Sequence, residues 1–473
     1  MKTSRITNVV ETATFTSIAL LLIFTFQNCS SFKSGKSNDT PAHPSAAGED
    51  RPCSQEPSTA SGQLVSRSTD TKYLVFAIPV DATEVYQPGG DIYGEIDKRV
   101  SELIDKIGPV NGEKTRLGFM IILPVWAASS GSAENENQIK KIIGEAFTVA
   151  KKRNVAAYFT LYSAVHYMPD LWNWFDPSQA GYDPDNKNNV EWTDWSGTPT
   201  KARYSLQEGE TRQPPVMCYN SPKILSEVSR ITSKIIGPAL MDGINDLKNV
   251  CKEDLFAGIT LSEELSLDDY SVIDQLNPKL GEMMTQDGAL KTRLGYCALT
   301  NLGYSQSNPP ADYPAALARI NQQYSAYWGK QLVQAGLSKD KLYTHVAPAI
   351  DELYLRYTNA PIETAFNEYS TAGWTTYLID PLVSTNGFQP LYDALKTEGL
   401  SRWAATETSP TNLTSSSIGA EKYLAWHFNR GAVVMVINSA DESPGGQAVG
   451  RDIWASQSVA AYRKFLNGEQ LKD

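Results

Sequence analysis

The sequence predicts an α/β fold, a (β/α)8 TIM barrel with long loops after strands 3 and 4. Short apolar runs of strand length recur eight times along the chain, and a helical pattern follows each of them. The runs are apolar on both faces, as in parallel strands covered by helices and unlike half-exposed antiparallel ones. Regular alternation of this kind builds a parallel sheet, and eight repeats close one into a barrel. A doubly wound open sheet is the alternative, but no GxGxxG or GxxxxGK turn follows the first run.

Strand one is expected at Tyr73–Val80 and its helix at Ile92–Ile107. Strand two spans Arg116–Val125 before a helix at Asn137–Lys152, and strand three spans Val155–Val165 before a helix at Lys223–Leu247. Phe256–Leu261 and Ala315–Ala335 form the fourth pair, Leu342–Ile350 and Ile362–Ser370 the fifth. Thr375–Val383 with Leu391–Thr397, Arg402–Thr406 with Gly419–Asn429, and Ala432–Ile437 with Ala455–Leu466 complete the set. The stretches Tyr167–Ser221 and Leu265–Tyr313 are each about fifty residues long, unusual for loops without a function. Both follow strands, on the face where barrel enzymes place their sites. The first carries Trp172, Trp174, Phe175, Tyr182, Trp192, Trp195 and Tyr204, which either stack on a ligand or form a core of the insertion's own.

Composition narrows the function. With 53 acidic against 42 basic side chains, the net charge of −11 speaks against a nucleic-acid binder. Four His without an HxH or HExxH pairing leave little room for a His-rich metal centre. Trp 10 and Tyr 23 form a heavy aromatic load, much of it outside the apolar runs.

At the N-terminus, Lys2 and Arg5 precede an apolar run from Ala13 to Phe26, the layout of a secretory signal. Cys29 follows directly and resembles the lipidated Cys of a bacterial lipoprotein signal, with Gln27 and Asn28 in place of the usual small residues. The resemblance implies a signal peptide over residues 1–28, a lipid anchor at Cys29 and, from Ser30, an outer-membrane location in the cell envelope. An uncleaved anchor or an ordinary export signal is the alternative. Residues 29–70 are rich in Ser, Thr, Pro, Ala and Gly and read as a flexible tether, which leaves 71–473 as the working domain.

Export places the other cysteines in an oxidising compartment. Cys218, before helix three, and Cys297, after strand four, both lie near the C-terminal face of the barrel. Cys251 lies at the opposite face, where the chain bearing Cys53 enters strand one. A helix of about 25 residues is nearly 40 Å long, which disfavours a Cys218–Cys251 pair across it. The expected disulfides are Cys218–Cys297 and Cys53–Cys251.

Strand four ends in Ser262-Glu263-Glu264 and strand seven in Thr406-Glu407-Thr408. In this the sequence resembles the clan of (β/α)8 retaining glycoside hydrolases that includes β-galactosidases, cellulases and xylanases. The resemblance implies Glu407 as nucleophile and Glu263 as acid/base. The clan carries Asn before its acid/base, where this chain has Ser262; if Glu263 instead fills the Asn position, Glu264 is the acid. Such an enzyme protonates the leaving oxygen and stabilises an oxocarbenium-like centre with two carboxyls, and needs no cofactor or metal.

Other polar or aromatic residues are expected to end strands around the mouth: Asp81, Trp126, His166, Asp351 with Glu352, Asp380 and Asn438. With Trp172, Trp174 and Trp195 from the loop, Asp81, Trp126, His166, Asp351 and Asp380 are the expected sugar-binding residues. A lone His, such as His166 or His345, is more often structural than catalytic. Asp351 and Asp380 have an alternative partner in arginines such as Arg356. The leading reading is a membrane-tethered retaining β-glycosidase acting on an extracytoplasmic oligo- or polysaccharide. A non-catalytic carbohydrate-binding surface lipoprotein is the second. A metal-dependent hydrolase holding a hard cation on Asp81, Asp351 and Asp380 is the third.

Overall fold

A computed structural model describes residues 71–165, 167–205, 211–348, 351–376, 387–408, 419–438 and 453–472. The expected leader, Cys29, Cys53 and the tether lie outside these residues, as do His166 and Asp380. Eight parallel strands form the centre: β1 Lys72–Ala77, β2 Thr115–Leu123, β3 Ala156–Leu161, β4 Phe256–Thr260, β5 Leu342–Tyr343, β6 Gly373–Thr375, β7 Trp403–Thr408 and β8 Ala432–Ile437. Their order is β5-β4-β3-β2-β1-β8-β7-β6. Parallel bridges Tyr343–Thr371 and Val346–Trp374 join the two ends. Thr344 N donates to Thr371 O, and Val346 N to Gly373 O. The sheet is a closed (β/α)8 barrel, as the alternation predicts.

Two apolar layers hold it. Inside the barrel lie Tyr73, Val75, Tyr158, Tyr343, Val434 and Val436. Tyr158 and Tyr343 stack with ring centroids 6.0 Å apart. β4 passes this pair only because position 258 is Gly: a Cβ there would lie 2.4 Å from the Tyr343 ring, at φ +135°. Half-buried Lys341 donates to Tyr73 Oη and Phe256 O, and desolvation drives its pKa down to about 7. The outer layer packs the strands against helices whose starts follow their sequences. Asp91 caps Ile92–Ile107, Ser132 caps Ala133–Arg153 and Asp312 caps Tyr313–Gln334.

Among the departures from expectation, strand five is Leu342–Tyr343 rather than Leu342–Ile350. The helix expected at Lys223–Leu247 is Pro222–Ile231, a π-turn at Thr232–Ile236, and then Gly237–Asn249. Pro238 has no N–H for the preceding turn, and the widened turn accommodates it. The helix expected at Ile362–Ser370 is a single 3-10 turn, Ile362–Ala365, behind a helix at Glu352–Thr358. Asn367 stops it by accepting from Tyr369 N, a local bond that competes with helix. Strand six lies at Gly373–Thr375 rather than Thr375–Val383, and residues 377–383 are outside the described set.

The loops after β3 and β4 are tied to each other. Cys218 and Cys297 form the expected disulfide, with Cα atoms 6.0 Å apart. Cys251 is also disulfide-bonded. Fully buried Glu191 accepts from Cys297 N at 3.0 Å, and desolvation pushes its pKa up to about 8 despite that bond. No helix among the described residues is long and apolar enough to cross a membrane.

Two predictions follow from the buried groups. Replacing both Cys218 and Cys297 by Ser should cost about 2–4 kcal/mol in urea unfolding; an unchanged midpoint would show that the loops need no staple. His427 is buried in the helix Gly419–Phe428, between Tyr423 O at 2.8 Å and Thr376 Oγ1 at 3.0 Å. Desolvation drives its pKa down to about 3. Between that value and about 6.5 the unfolded chain binds the extra proton, so stability is lost as pH falls through this window. The urea midpoint of His427→Gln should therefore fall less steeply with acid than that of the wild type. Equal slopes would mean that His427 is not held neutral.

Candidate active site

Glu263 and Glu264 follow β4, and their carboxyls go to different partners. Glu263 turns to the neighbouring strand. Its Oε2 accepts from Ser163 N and Ala164 N, both at 2.7 Å, just past β3. Glu264 reaches past β5 instead and accepts a hydrogen bond from Thr375 Oγ1 at the end of β6. Glu407, on β7, is held from β8 by Asn438, whose Nδ2 donates to Oε1 at 3.1 Å.

His345 sits between the two carboxyls. Its Nε2 lies 3.5 Å from Glu407 Oε2 and 2.8 Å from Thr375 Oγ1, and its Nδ1 lies 3.2 Å from Ser262 O. A carboxylate oxygen of Glu264, one of Glu407 and a ring nitrogen of His345 all fall within 4.8 Å of one another. The ring is 5% exposed, so solvent scarcely screens these charges. Burial alone would lower the His345 pKa, but the hydrogen bond and charge of Glu407, the charge of Glu264 and the carbonyl of Ser262 raise it.

Of the two glutamates that the resemblance leaves open as acid/base, the one whose carboxyl lies beside Glu407 is Glu264. Glu263 is occupied with two backbone donors, which is the alternative in which it fills the position before the acid. Several other expected residues have structural places. Trp126 is 1% exposed, donates to Ser163 O and packs edge-on against Tyr167 and Trp328, so it has no face for a sugar. Asp81 is an exposed cap accepting from Thr83 N, and Asp351 is an exposed cap accepting from Tyr354 N. The Arg356 guanidinium lies 3.6 Å from Asp269. The tryptophans of the insertion after β3 are engaged within it or against the connection after β4. Trp172 donates to Tyr167 O, Trp174 donates to Thr200 O, and Trp195 packs edge-on against Tyr296 and Tyr313. All three are half-buried. Asp81 and Asp351 are thus engaged as caps rather than converging on a cation. The Glu264, His345 and Glu407 trio has the spacing of metal ligands. Its ring nitrogens, however, are both engaged within the protein, Nδ1 by a carbonyl and Nε2 by a hydroxyl and a carboxylate.

Sequence reasoning missed Thr375 and gave His345 little weight. Thr375 was placed at the start of strand six, remote from the mouth, whereas it ends that strand. His345 stood inside an apolar run whose strand character stops at Tyr343.

No protein-family profile matches the sequence, and no curated protein sequence matches it. In structure the chain is similar to an exo-β-1,4-mannosidase from Opitutaceae bacterium strain TAV5, at 11% identity and TM-score 0.41, over 84% of this chain and 59% of that one. It therefore spans less than two thirds of the mannosidase's length. It is similar to GH5_18 from Streptomyces cattleya in complex with GlcNAc, at 10% identity and TM-score 0.42, over 86% and 83% of the two chains. It is also similar to D-allulose 3-epimerase from Methylomonas sp., at 10% identity and TM-score 0.35, over 84% and 96%. Barrels of different chemistry are thus matched alike, and none of these likenesses selects a reaction.

The division of labour between the adjacent glutamates is testable. Glu263→Ala should lose about 2–3 kcal/mol of stability, since it removes two hydrogen bonds to a carboxylate. Glu264→Gln should leave the urea midpoint nearly unchanged. The reverse order would overturn the placement.

Proposed function

We propose that the chain is a retaining glycoside hydrolase that cleaves β-glycosidic bonds of an extracytoplasmic oligo- or polysaccharide. Glu264 is the acid/base, Glu407 the nucleophile and Asn438 a residue that positions the nucleophile. One observation carries the reading: Glu264 and Glu407 bring carboxylate oxygens within 4.8 Å of each other across the barrel mouth. Retaining enzymes hold their carboxyls about 5–5.5 Å apart, whereas inverting ones leave about 6.5–9.5 Å for a water. In the first step Glu264 gives its proton to the glycosidic oxygen as Glu407 forms an ester with the anomeric carbon. In the second, the Glu264 carboxylate takes a proton from water, which attacks that carbon and releases Glu407. The same proximity favours catalysis over a non-catalytic sugar-binding barrel, in which the two carboxyls would have no reason to converge. No cofactor enters either step.

The proposal includes a tether. Lys2, Arg5 and the apolar run before Cys29 support an outer-membrane lipoprotein. Metabolic labelling with palmitate should mark the wild type and not Cys29→Ala, and equal labelling would remove the anchor from the proposal.

Aryl β-glycosides and polysaccharides, screened as a panel, test the reaction. Glu407→Gln should abolish turnover and keep sugar binding. Glu264→Gln should lose about 10²–10⁴-fold on substrates with poor leaving groups and much less on dinitrophenyl glycosides. Turnover retained in Glu407→Gln, or a product of inverted configuration by NMR, would refute the assignment.

A further inference from the structure

Thr375 touches both partners of a proton-bearing chain that the two-carboxyl mechanism does not require. Its hydroxyl, fully buried, bonds Glu264 on one side and lies 2.8 Å from His345 Nε2 on the other. The other ring nitrogen is committed. Ser262 O, 3.2 Å from Nδ1, is a carbonyl and only accepts, so Nδ1 carries a hydrogen in every protonation state of the ring. The proton that His345 gains or loses is therefore the one on Nε2, the nitrogen facing Thr375.

We infer that Glu264 and His345 share one proton through the Thr375 hydroxyl and titrate as a pair. In one arrangement the Glu264 carboxylic acid donates to Thr375 Oγ1, the hydroxyl donates to Nε2, and the ring is neutral. In the other, each of these two protons has moved one place along the chain. Glu264 is then a carboxylate accepting from Thr375, and Thr375 accepts from an imidazolium. The number of protons is the same in both, and only the position of the charge differs. Among the described residues, the charged groups facing the ring are Glu264, from the segment after β4, and Glu407, from β7, while Ser262 and Thr375 face it as neutral partners. Both carboxylates favour the imidazolium, and Glu407 lies 3.5 Å from the same nitrogen. The inference rests on the reading of Glu264 as acid/base, to which it adds a second seat for that group's proton: in the resting enzyme the proton lies on Glu264 or on His345, it moves through Thr375 onto Glu264 for the first step, and in the second step the Glu264 carboxylate regains a proton from water. Thr375 is thus a positioning residue, acting through Glu264 and His345.

The test is the NMR titration of His345 in the full-length protein, with its signal identified by loss in His345→Gln. In the wild-type background, Glu264→Gln should lower the His345 pKa. In the Thr375→Val background the same substitution should shift it by about one unit less, a tenfold smaller change in proton affinity. Thr375→Ser should restore the larger shift. Thr375→Ala supplies the comparison if Thr375→Val does not fold. Equal shifts in all backgrounds would show that Glu264 acts on His345 only through space, and would overturn the inference. These titrations need no substrate. Coupling through Thr375 without hydrolysis of any glycoside would refute the proposed function alone. On an active enzyme, the basic limb of the kcat/KM profile with an aryl β-glycoside should move in Thr375→Val and stay in place in Thr375→Ser.

Discussion

The site depends on how the barrel closes. β5 and β6 are the shortest strands, and isolated bridges rather than a full ladder join their ends. Thr344 N bonds Thr371 O, Val346 N bonds Gly373 O, and Thr375 N bonds Val346 O. This register sets His345, between Thr344 and Val346, beside Thr375. A slip of one residue would turn both side chains to the other face of the sheet. The contacts of Thr375 with Glu264 and of His345 with Glu407 exist only because the closing seam is in this register.

That seam also explains what the sequence concealed. Glu407 was legible because β7 is a clear apolar run that ends beside it. β6 is only three residues long, Gly373–Thr375, too short for a periodic signal. Thr375, its last residue, is the first of the expected strand. The paired glutamates after β4 were legible as a pair but not as individuals. Choosing between them requires knowing which side of the strand each faces, and hence which neighbour supplies the amides of Ser163 and Ala164.

The other misplacements have a common cause. Residue type and a position near a strand end do not reveal burial. Trp126 lies three residues past β2, near the expected strand end, yet Tyr167 and Trp328 pack against it. Asp81 and Asp351 stand where strands were expected to finish, yet each immediately precedes a helical turn, and Asp in that position is a common cap. This signal was present in the sequence and was outweighed by the symmetry of the expected ring. Of the two readings of the aromatic insertion after β3, packing within the protein is the one its tryptophans show. The indole N–H groups of Trp172, Trp174 and Trp192 are spent on the insertion's own carbonyls.

The link between the two long loops bears on how this barrel can change. Cys218, Cys297 and Glu191 make the connections after β3 and β4 one frame. Neither loop can be exchanged alone, because a graft would strand a thiol and leave a buried carboxyl without its amide partner. Diversification at this mouth therefore has to proceed by joint replacement of both loops, or through the connections on the far side of the barrel.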